Sequence, residues 1–438
     1  MNKTVQFLKT KFSNYYATAP LTYPERFTRR EWGFMFIGET FMLRHIAFRR
    51  SSELVNYLCG GQKLVERDKS SGFNKINPPL RIPSHVYYSS AYYAQPAAQP
   101  MPVKVEGWLG ADLIFDLDDD HLRNVEELNY EQRLVKVKEI VKNKLLDDYI
   151  LGDFGIDPKF IKIAFSGSRG YHIHVRDPQV LKLSSAQRRE IVDYLTGVGL
   201  NIDRIFPDEA FDTKEYGGKK FSKKKLVTPK LDSPGWKGRM ARGIFELLNN
   251  LSRLPEDDGV NQLKILCFDL NKKPKYKNRK ITEKDVNAIY HELFSRPRMK
   301  ITPETFQQRN ILEIFSETRL RNIFSDIIKE HQRVEMAGET DEPVTTDVKR
   351  LIRMPTSIHG KTGLRAVPLE IDELAAFEPL KDAVVFNSEP VKVNSNVNDQ
   401  IKFSLAGEAF SVEPLGKGVE LPEFAAVYLM CQRKAELS

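Results

Sequence analysis

The segment ADLIFDLDDDHL, residues 111–122, constrains the fold and function of this chain more than any other segment. An apolar stretch runs without a break into four aspartates within five positions. Alternation with a period of two is typical of a β-strand and divides the side chains between two faces. One face carries Leu113, Phe115 and Leu117, and the other carries Asp112, Ile114, Asp116 and Asp118. Asp116 and Asp118 are therefore expected on one face, about 7 Å apart along the strand.

Two carboxylates held this close at the end of a hydrophobic strand repel each other and resist removal from water. A cation between them, or an open cleft that keeps them hydrated, would remove that cost. The pair thus indicates either a metal site or a solvated acidic turn that ends the strand. The segment alone leaves both interpretations open.

Length and composition predict an ordinary globular protein of two or three domains, with 438 residues, of which 41% are hydrophobic and 29% charged. The formal charge of +8 is compatible with a polyanionic partner. No run approaches the roughly 18 to 20 apolar residues of a membrane helix, and the first residues lack a signal-peptide core. We therefore expect an intracellular protein that does not enter a membrane. Cys59, Cys267 and Cys431 are widely separated, so neither a disulfide framework nor a cysteine-built zinc site is indicated.

The order of sequence patterns around the acidic segment favours an α/β or α+β domain. Residues 30–48 read as strands around a turn at Gly38, and the Pro- and Tyr-rich residues 71–103 read mostly as a connector that packs against the rest. Residues 126–147 read as an amphipathic helix, 160–175 as a β-hairpin, and 184–198 as a helix. Short strand patterns follow residue 372.

A basic run and a long helical stretch follow these elements. Residues 214–242 hold ten basic and two acidic residues, which indicates either a solvated loop or a binding site for a phosphate backbone. The lysines that would bind nucleic acid there are Lys219, Lys220, Lys223, Lys224 and Lys225. Residues 245–332 are almost continuously helical in pattern. We therefore predict a catalytic domain formed by residues 1–244 and 333–438, with a helical subdomain or insertion at 245–332.

Two further segments carry candidate functional groups. SGSRGYH, residues 166–172, places Ser166, Ser168, Arg169 and His172 around a glycine turn, a set of donors suited to phosphate oxygens or, alternatively, a polar hairpin turn. His172 and His174 share a strand face, but two ligands without a third make a poor metal site. DEPVTTDVKRLIRMPTSIHGKTGLRAVPL, residues 341–369, combines acids with Arg350 and Arg353, three apart on an expected helix face, and with a His359-Gly-Lys361 turn. Salt bridging is the alternative explanation for this third segment.

Taken in order, these segments resemble one family, the catalytic small subunit of the archaeal and eukaryotic replicative DNA primase. The resemblance extends from about residue 15 to 370. It is carried by REWGFMF, PSHVYYSSAYY, FDLDDDH, FSGSRGYHIHV and DVKRLIRMPTSIHGKTGL at these separations. It implies the primase α/β fold, with a mixed β-sheet flanked by helices and an inserted helical subdomain. The single-chain signature looks more archaeal than eukaryotic.

The resemblance also implies the chemistry of the site. Asp116 and Asp118, with a third carboxylate, would hold two Mg²⁺ or Mn²⁺ ions that bridge the incoming triphosphate and the primer 3′-hydroxyl. The family's spacing favours Asp341 as the third ligand, with Asp347 as the rival. The residues matching the family's nucleotide site are Arg44, Ser166, Arg169, His172, Arg353 and His359.

Two departures from the family pattern stand out. Residues 119–165 contain no cysteine and only His121, where the family usually carries a small zinc-binding knob. We therefore predict no structural zinc, and a helix at 126–147 in its place. Ser168 stands where some relatives have a basic residue, so its contact with phosphate is in doubt.

The expected function is synthesis of short primers on single-stranded DNA from nucleoside triphosphates, in a heterodimer with the primase large subunit. The expected location is the cytoplasm, in association with the chromosome. Two alternatives remain open: a primer-extending repair polymerase of the same superfamily, and a non-catalytic nucleic-acid binding module.

Overall fold

The computed structural model describes most of the chain in two compact units. The described residues are 2–61, 81–98, 107–122, 127–201, 204–205, 208–216, 219–294, 302, 304, 306, 314–336 and 342–438, and for 121, 208–216, 219–226, 332–336 and 342 only the main chain is described. The first unit comprises Met1–Asp147, Ile156–Val192 and Glu339–Ser438, and the second comprises Asp148–Gly155 and Asp193–Gly338. The expected helical subdomain at 245–332 falls within the second unit, and its limits as a separate domain remain a prediction.

The first unit contains a four-stranded antiparallel sheet in the order β11-β3-β1-β2. Its strands are β1 (Trp32–Phe36), β2 (Met42–Ile46), β3 (Pro83–Ser89) and β11 (Leu351–Arg353). One face is built from side chains that are almost completely buried, among them Trp32, Phe34, Val86 and Tyr88. Gly33, Tyr87 and Arg353 lie in register on the other face, because residues directly opposite in antiparallel strands point the same way.

A second antiparallel sheet has the order β12-β7-β8-β6. Its strands are β6 (Leu113–Asp118), β7 (Ile161–Phe165), β8 (Gly170–Val175) and β12 (Val367–Leu369). The hairpin predicted at 160–175 is therefore confirmed. The two sheets meet through Tyr88, which stacks on His174 with ring centroids 6.2 Å apart, and through a cluster of Ile114, Ile352 and Val344.

Smaller sheets and helices complete the first unit. The remaining strands of this unit are β4 (Ala91–Tyr93), β5 (Trp108–Ala111), β13 (Pro390–Ser395), β14 (Ile401–Leu405), β15 (Glu408–Val412), β16 (Val419–Pro422) and β17 (Ala435–Leu437). Its helices are α1 (Lys3–Thr18), α2 (Ser51–Leu58), α3 (Tyr130–Ile140), most of α4 (Ser185–Thr196), α9 (Glu342–Thr346), α10 (Pro379–Asp382) and α11 (Glu423–Cys431). The α/β class is confirmed. The expected mixture of parallel and antiparallel strands is corrected, because every pairing between described strands is antiparallel.

Helix α3 begins at a capping box. The Asn129 side chain accepts from the amide of Gln132, and the Gln132 side chain accepts from the amide of Asn129, so two amides that the helix leaves unpaired are satisfied. A wider π-type helix continues from Val141 to Asp153. The apolar spacing predicts a helix at 126–147. Of the side chains in that pattern, Leu134, Val137, Val141 and Leu145 are buried and Ile140 is half-buried.

The second unit is mainly helical and also contains a β-hairpin. Its helices are α5 (Gly235–Arg253), α6 (Glu256–Asn271), α7 (Glu283–Phe294) and α8 (Thr318–Met336). Buried positions along α5 recur at helical spacing, for example Ile244, Leu248 and Leu251, and form part of the core. The hairpin pairs β9 (Asp208–Tyr216) with β10 (Lys219–Leu226).

Three sequence interpretations are corrected by the structure. The connector predicted at 71–103 contains strands β3 and β4, and β3 is an interior strand of its sheet. The helix expected around Arg350 and Arg353 is absent from the described chain there, because Leu351–Arg353 pairs with Ser89, Tyr88 and Tyr87 as strand β11. The interpretation of the basic run 214–242 as a loop is wrong for two parts of it. Residues 214–216 and 219–226 belong to the β9–β10 hairpin, and residues 235–242 begin α5.

No helix in the described part of the chain is both long and apolar enough to cross a membrane.

Candidate functional site

Strand β6 presents its two terminal aspartates beside strand β8. Leu113, Phe115 and Leu117 are buried, whereas the side chains of Asp116 and Asp118 are 15% and 25% exposed. The register places Asp116 opposite His172 and Asp118 opposite Gly170. The alternation read from the sequence is thus confirmed for this strand, and the two carboxylates share the face that carries His172.

Gly170 lets β8 approach the acidic strand closely. A Cβ at this position would lie 2.0 Å from the carbonyl oxygen of Leu117 and 2.2 Å from Oδ1 of Asp118. Any side chain there would displace the carboxylate or separate the strands. The glycine therefore permits both the pairing of β6 with β8 and the position of Asp118.

The turn between β7 and β8 is held by the Ser166 hydroxyl. Ser166 Oγ accepts from the amide of Gly170 at 3.2 Å and from the amide of Ser168 at 3.4 Å, and the side chain is buried. Tyr130 of α3 donates to the carbonyl of Ser168 at 2.5 Å. The helix that follows the acidic segment thus supports the turn that carries Arg169.

Arg169 lies against the aspartates that follow the strand. Its guanidinium nitrogens lie 3.4 Å from Oδ2 of Asp118, 3.7 Å from Oδ1 of Asp119 and 3.0 Å from Oδ2 of Asp120. The side chain is 46% exposed, so these are solvent-screened ion pairs of modest strength. Arg169 therefore lies where it can contact either the acidic cluster or an anion placed beside it.

The electrostatics of the acidic pair are unfavourable without a cation. Burial, followed by the charge of Asp116, raises the pKa of Asp118 to about 6, although His172 and Arg169 act in the opposite direction. Oδ1 of Asp118 is buried and has no hydrogen-bond partner within the described ranges. A partly desolvated carboxylate with an unsatisfied oxygen is the kind of ligand that a hard divalent cation binds.

His172 connects the acidic pair to the basic groups around it. Its Nε2 lies 3.3 Å from Oδ1 of Asp116. Burial lowers the pKa of His172 to about 4, with Asp118 opposing the shift and the charges of Arg353 and Arg350 adding to it. The imidazole is therefore neutral near pH 7 and lies in close polar contact with the carboxylate of Asp116.

Arg353 is a buried cation held by neutral groups. Its Nη1 lies 2.9 Å from Nδ1 of His85, its Nη2 donates to the hydroxyl of Tyr87 at 3.2 Å, and its guanidinium lies 4.9 Å from the centroid of the Tyr87 ring. In the part of the chain that the structure describes, no carboxylate pairs with Arg353. A buried charge without a counterion is costly, so this position favours an anionic ligand.

The turn 359–363 packs against the β7–β8 turn. Thr362 Oγ1 donates to the carbonyl of Gly167 at 2.6 Å, and a Cβ on Gly167 (φ +80°) would lie 3.0 Å from Cβ of His359. His359 is buried, and burial together with Arg353 holds its pKa well below the usual range. Two segments nearly two hundred residues apart in sequence therefore form one surface beside the acidic pair.

Arg44 lies on strand β2 and binds Glu31. The guanidinium contacts both carboxylate oxygens of the buried Glu31, at 3.0 and 3.2 Å, and is 40% exposed. No described contact joins it to Asp116, Asp118 or Arg353, so the structure does not bring Arg44 together with the other candidates.

The third carboxylate has two candidates, of which one is described. Asp341 lies outside the described residues. Asp347 is exposed. Burial lowers the pKa of Arg188 to about 10, and the charges of Asp112 and Asp347 partly offset this shift. Arg188 donates to the carbonyls of Ala111 and Asp112 at 2.8 Å each, and the neighbouring Val348 accepts from Trp108. Asp347 therefore lies toward the start of β6, whereas the acidic pair lies at its end.

The candidate DNA-binding lysines lie on strand β10 in the second unit. The main chain of Lys219, Lys220, Lys223, Lys224 and Lys225 pairs with β9, and their side chains are not described. Their role stays a prediction.

Within the described residues, no group of three His, Cys, Asp or Glu side chains is close enough to hold a metal ion.

Sequence reasoning missed His85. Its contacts with Arg353 and Gly360 join residues 268 and 275 positions apart, so no local pattern could indicate them. The available signal was a single histidine within the serine- and tyrosine-rich PSHVYYSSAYY, in a segment whose composition predicts a connector.

Comparisons with known proteins show the family to which this chain belongs. The family model described as DNA primase small subunit matches residues 115–371, which include the acidic pair, both turns and Arg353. The chain is 39% identical over 440 residues to the DNA primase small subunit PriS of Methanothrix thermoacetophila, a match that covers 100% of this chain and 99% of that protein. The proteins of the same name from Methanocella arvoryzae and Methanococcoides burtonii are 37% and 38% identical, each over 99% of this chain and 99% and 98% of their own lengths. With a family model over more than half of its length and relatives matched from end to end, this chain belongs to the DNA primase small subunit family.

Proposed function

We propose that the chain is a DNA-directed nucleotidyltransferase that synthesises short primers on single-stranded DNA, with the acidic pair of β6 at the centre of its active site. The observation that carries this proposal is the juxtaposition of Asp116 and Asp118 with an anion-binding surface formed by Arg169, Arg353 and His359. Family membership supports the same reaction. Nucleotidyl transfer requires chiefly positioning and charge stabilisation, and these residue types provide both.

Divalent cations fit the acidic pair. Oδ1 of Asp118 has no hydrogen-bond partner among the described residues and the pKa of its carboxyl group is raised, and a bound cation would compensate both. Asp116, Asp118 and a third carboxylate would hold the ions, and Mg²⁺ and Mn²⁺ both suit an all-oxygen site. Bound ions would acidify the primer 3′-hydroxyl and neutralise charge on the triphosphate. The position of Asp347 toward the start of β6 supports Asp341 as the third ligand.

The chain's own residues would bind and orient the triphosphate. Arg353 supplies a buried positive charge without a described counterion, and Arg169 supplies a more exposed one. His359 is neutral, and its Nδ1 accepts from the amide of Lys361 at 3.3 Å, so its Nε2 proton is available to a phosphate oxygen. Ser166 shapes the turn that presents Arg169. His172 orients Asp116, and Arg44 would act from the separate strand β2.

Partners follow from the same proposal. The lysines of β10 would contact the template, nucleoside triphosphates would be the substrates, and the primase large subunit would complete a heterodimer. We expect the chain to work in the cytoplasm in association with the chromosome, and to need no structural zinc. None of the described features favours the repair-polymerase or binding-module alternatives.

One experiment separates the enzyme from a non-catalytic binding module. Single-stranded DNA binding and primed-template extension are measured for Asp116→Ala and for a variant in which Lys219, Lys220, Lys223, Lys224 and Lys225 are changed to Gln. The proposal predicts that Asp116→Ala keeps DNA affinity and loses extension, whereas the lysine variant loses affinity. Extension that continues without a divalent ion, or that survives Asp116→Ala, would contradict the proposed mechanism.

A further inference from the structure

His85 is a buried histidine of strand β3, and the proposed reaction assigns no role to it. It is 6% exposed and lies on the face of its sheet that carries Tyr87 and Arg353. Its neighbours belong to two separate segments, strand β11 and the turn 359–363. The question is what a polar side chain does at this junction.

The hydrogen bonds of His85 define its protonation state. Nδ1 lies 2.9 Å from Nη1 of Arg353 and accepts from the amide of Gly360 at 3.3 Å. A guanidinium and an amide N–H can only donate, so Nδ1 must present its lone pair and Nε2 must carry the proton. Burial, followed by the charges of Arg353 and Lys361, lowers the pKa of His85 to about 3, so the ring stays neutral at physiological pH.

These contacts restrict the mobility of both segments at once. The lone pair fixes one end of the Arg353 guanidinium while Tyr87 fixes the other. The same lone pair receives the amide of the residue after His359, and the His85 ring packs edge-on against the His359 ring, with centroids 4.9 Å apart. A neutral acceptor achieves this without cancelling the charge of Arg353, which a carboxylate in the same place would do.

We propose that His85 is a positioning residue for triphosphate binding, which uses the lone pair of Nδ1 to hold Arg353 and the His359 turn in one arrangement. This inference rests on the proposed function, because it takes Arg353 and His359 as ligands of the triphosphate. It adds that the site is preorganised by a residue that does not itself touch the nucleotide. Loss of the acceptor should therefore weaken triphosphate binding more than it slows the reaction of bound nucleotide.

The choice of variants follows from where an acceptor can be placed. His85→Asn puts the amide oxygen the same number of bonds from Cα as Nδ1, so it can accept from Arg353 and Gly360. His85→Gln puts its oxygen one bond further out, where Nε2 was. His85→Leu fills similar space without an acceptor. The same change at His291, an exposed histidine of α7, serves as a matched control.

The test uses the full chain and two readouts. Calorimetry measures the affinity for inorganic tripolyphosphate and for a nucleoside triphosphate, and primed-template extension gives KM for the nucleotide and kcat. We expect His85→Leu and His85→Gln to raise the dissociation constant and KM about tenfold, which is the loss of one charge-orienting hydrogen bond. In these two variants kcat should change less than about threefold. His85→Asn should recover most of the affinity, and His291→Leu should match the wild type.

Other outcomes have separate meanings. Unchanged affinity in His85→Leu, or equal impairment of the Leu and Asn variants, would overturn the inference in favour of a merely structural role. If His85→Leu does not fold, the comparison between Asn and Gln still decides the matter. If the wild type binds tripolyphosphate but extends no primer, the proposed function fails, while the affinity series continues to test His85.

Discussion

Nε2 of His172 lies 3.3 Å from Oδ1 of Asp116, directly across the pairing of β8 with β6. A histidine that is neutral and buried can donate to a carboxylate without cancelling its charge. A polar group that contacts a metal-ligating carboxylate helps to orient that carboxylate. We therefore expect His172 to help position Asp116, in addition to the contact with triphosphate that the resemblance implies.

Substitution of His172 should weaken metal binding in the absence of nucleotide. We expect His172→Ala to lower the affinity for Mn²⁺ about tenfold, because Asp116 loses the group that orients it. Titration of Mn²⁺ into the nucleotide-free chain, followed by electron paramagnetic resonance, measures this directly. An unchanged Mn²⁺ affinity would limit His172 to other roles.

Asp118 should destabilise the metal-free protein at neutral pH. Its pKa is raised from 3.8 to about 6, so between these values the folded state holds more protons than the unfolded state, and stability falls as pH rises through that window. Asp118→Asn should therefore increase the free energy of unfolding at pH 7 by about 1–3 kcal/mol in the presence of a chelator. The increase should shrink toward pH 4.

Urea unfolding at both pH values tests this, with Mn²⁺ as an added condition. The ion should stabilise the wild type and should have much less effect on Asp118→Asn. Equal stability of the two proteins at pH 7 in chelator would show that burial of Asp118 carries no cost.

Arg169 should compete with divalent ions for the acidic cluster. It contacts Asp118, Asp119 and Asp120, so its removal should raise the affinity for Mn²⁺ a few fold and lower the affinity for nucleoside triphosphate about tenfold. Arg133→Ala is the matched control, because Arg133 lies 3.4 Å from Asp119 on the same cluster. If Arg169→Ala weakens binding of the ion and of the triphosphate alike, the competition does not exist.

Gly170→Ala should be far more damaging than an alanine at an open glycine. The added Cβ would lie 2.0 Å from the carbonyl oxygen of Leu117, so β6 and β8 must separate, and we expect a loss of at least about 3 kcal/mol. At Gly407, φ is +80° and nothing lies within 4 Å of the added Cβ, so Gly407→Ala should cost only about 1 kcal/mol of backbone strain. Chemical denaturation compares the two, and equal losses would contradict the close approach of the strands.

The features that the sequence predicted correctly depend on local patterns. Alternation assigned the faces of β6, and the glycine turn between two alternating runs predicted the β7–β8 hairpin. The spacing of Arg350 and Arg353 predicts a helix, yet pairing with β3 decides the conformation of Leu351–Arg353. Tertiary contacts of this kind override local preference, and a single sequence does not display them.

The sequence predicts the residue types of the candidate site better than it predicts the contacts between them. Asp116, Asp118, Arg169 and His172 meet because β6 pairs with β8, which local patterns indicate in part. The contact of Thr362 with Gly167 and the junction at His85 bring together segments that are remote in sequence. Those contacts depend on how the two sheets and the turn 359–363 pack, and that packing has no periodic signature.

The most direct test of the account is primer synthesis on unprimed single-stranded DNA, with labelled nucleotides, Mg²⁺ or Mn²⁺, and Asp116→Ala as the control. It is run with the purified chain alone and with the large subunit added. We expect product from the wild type in at least one of these conditions, and we expect it to depend on the divalent ion. Asp116→Ala should give no product although it still binds DNA. Product from Asp116→Ala, or none from the wild type even with its partner present, would contradict the assignment of the acidic pair as the catalytic centre of a primase.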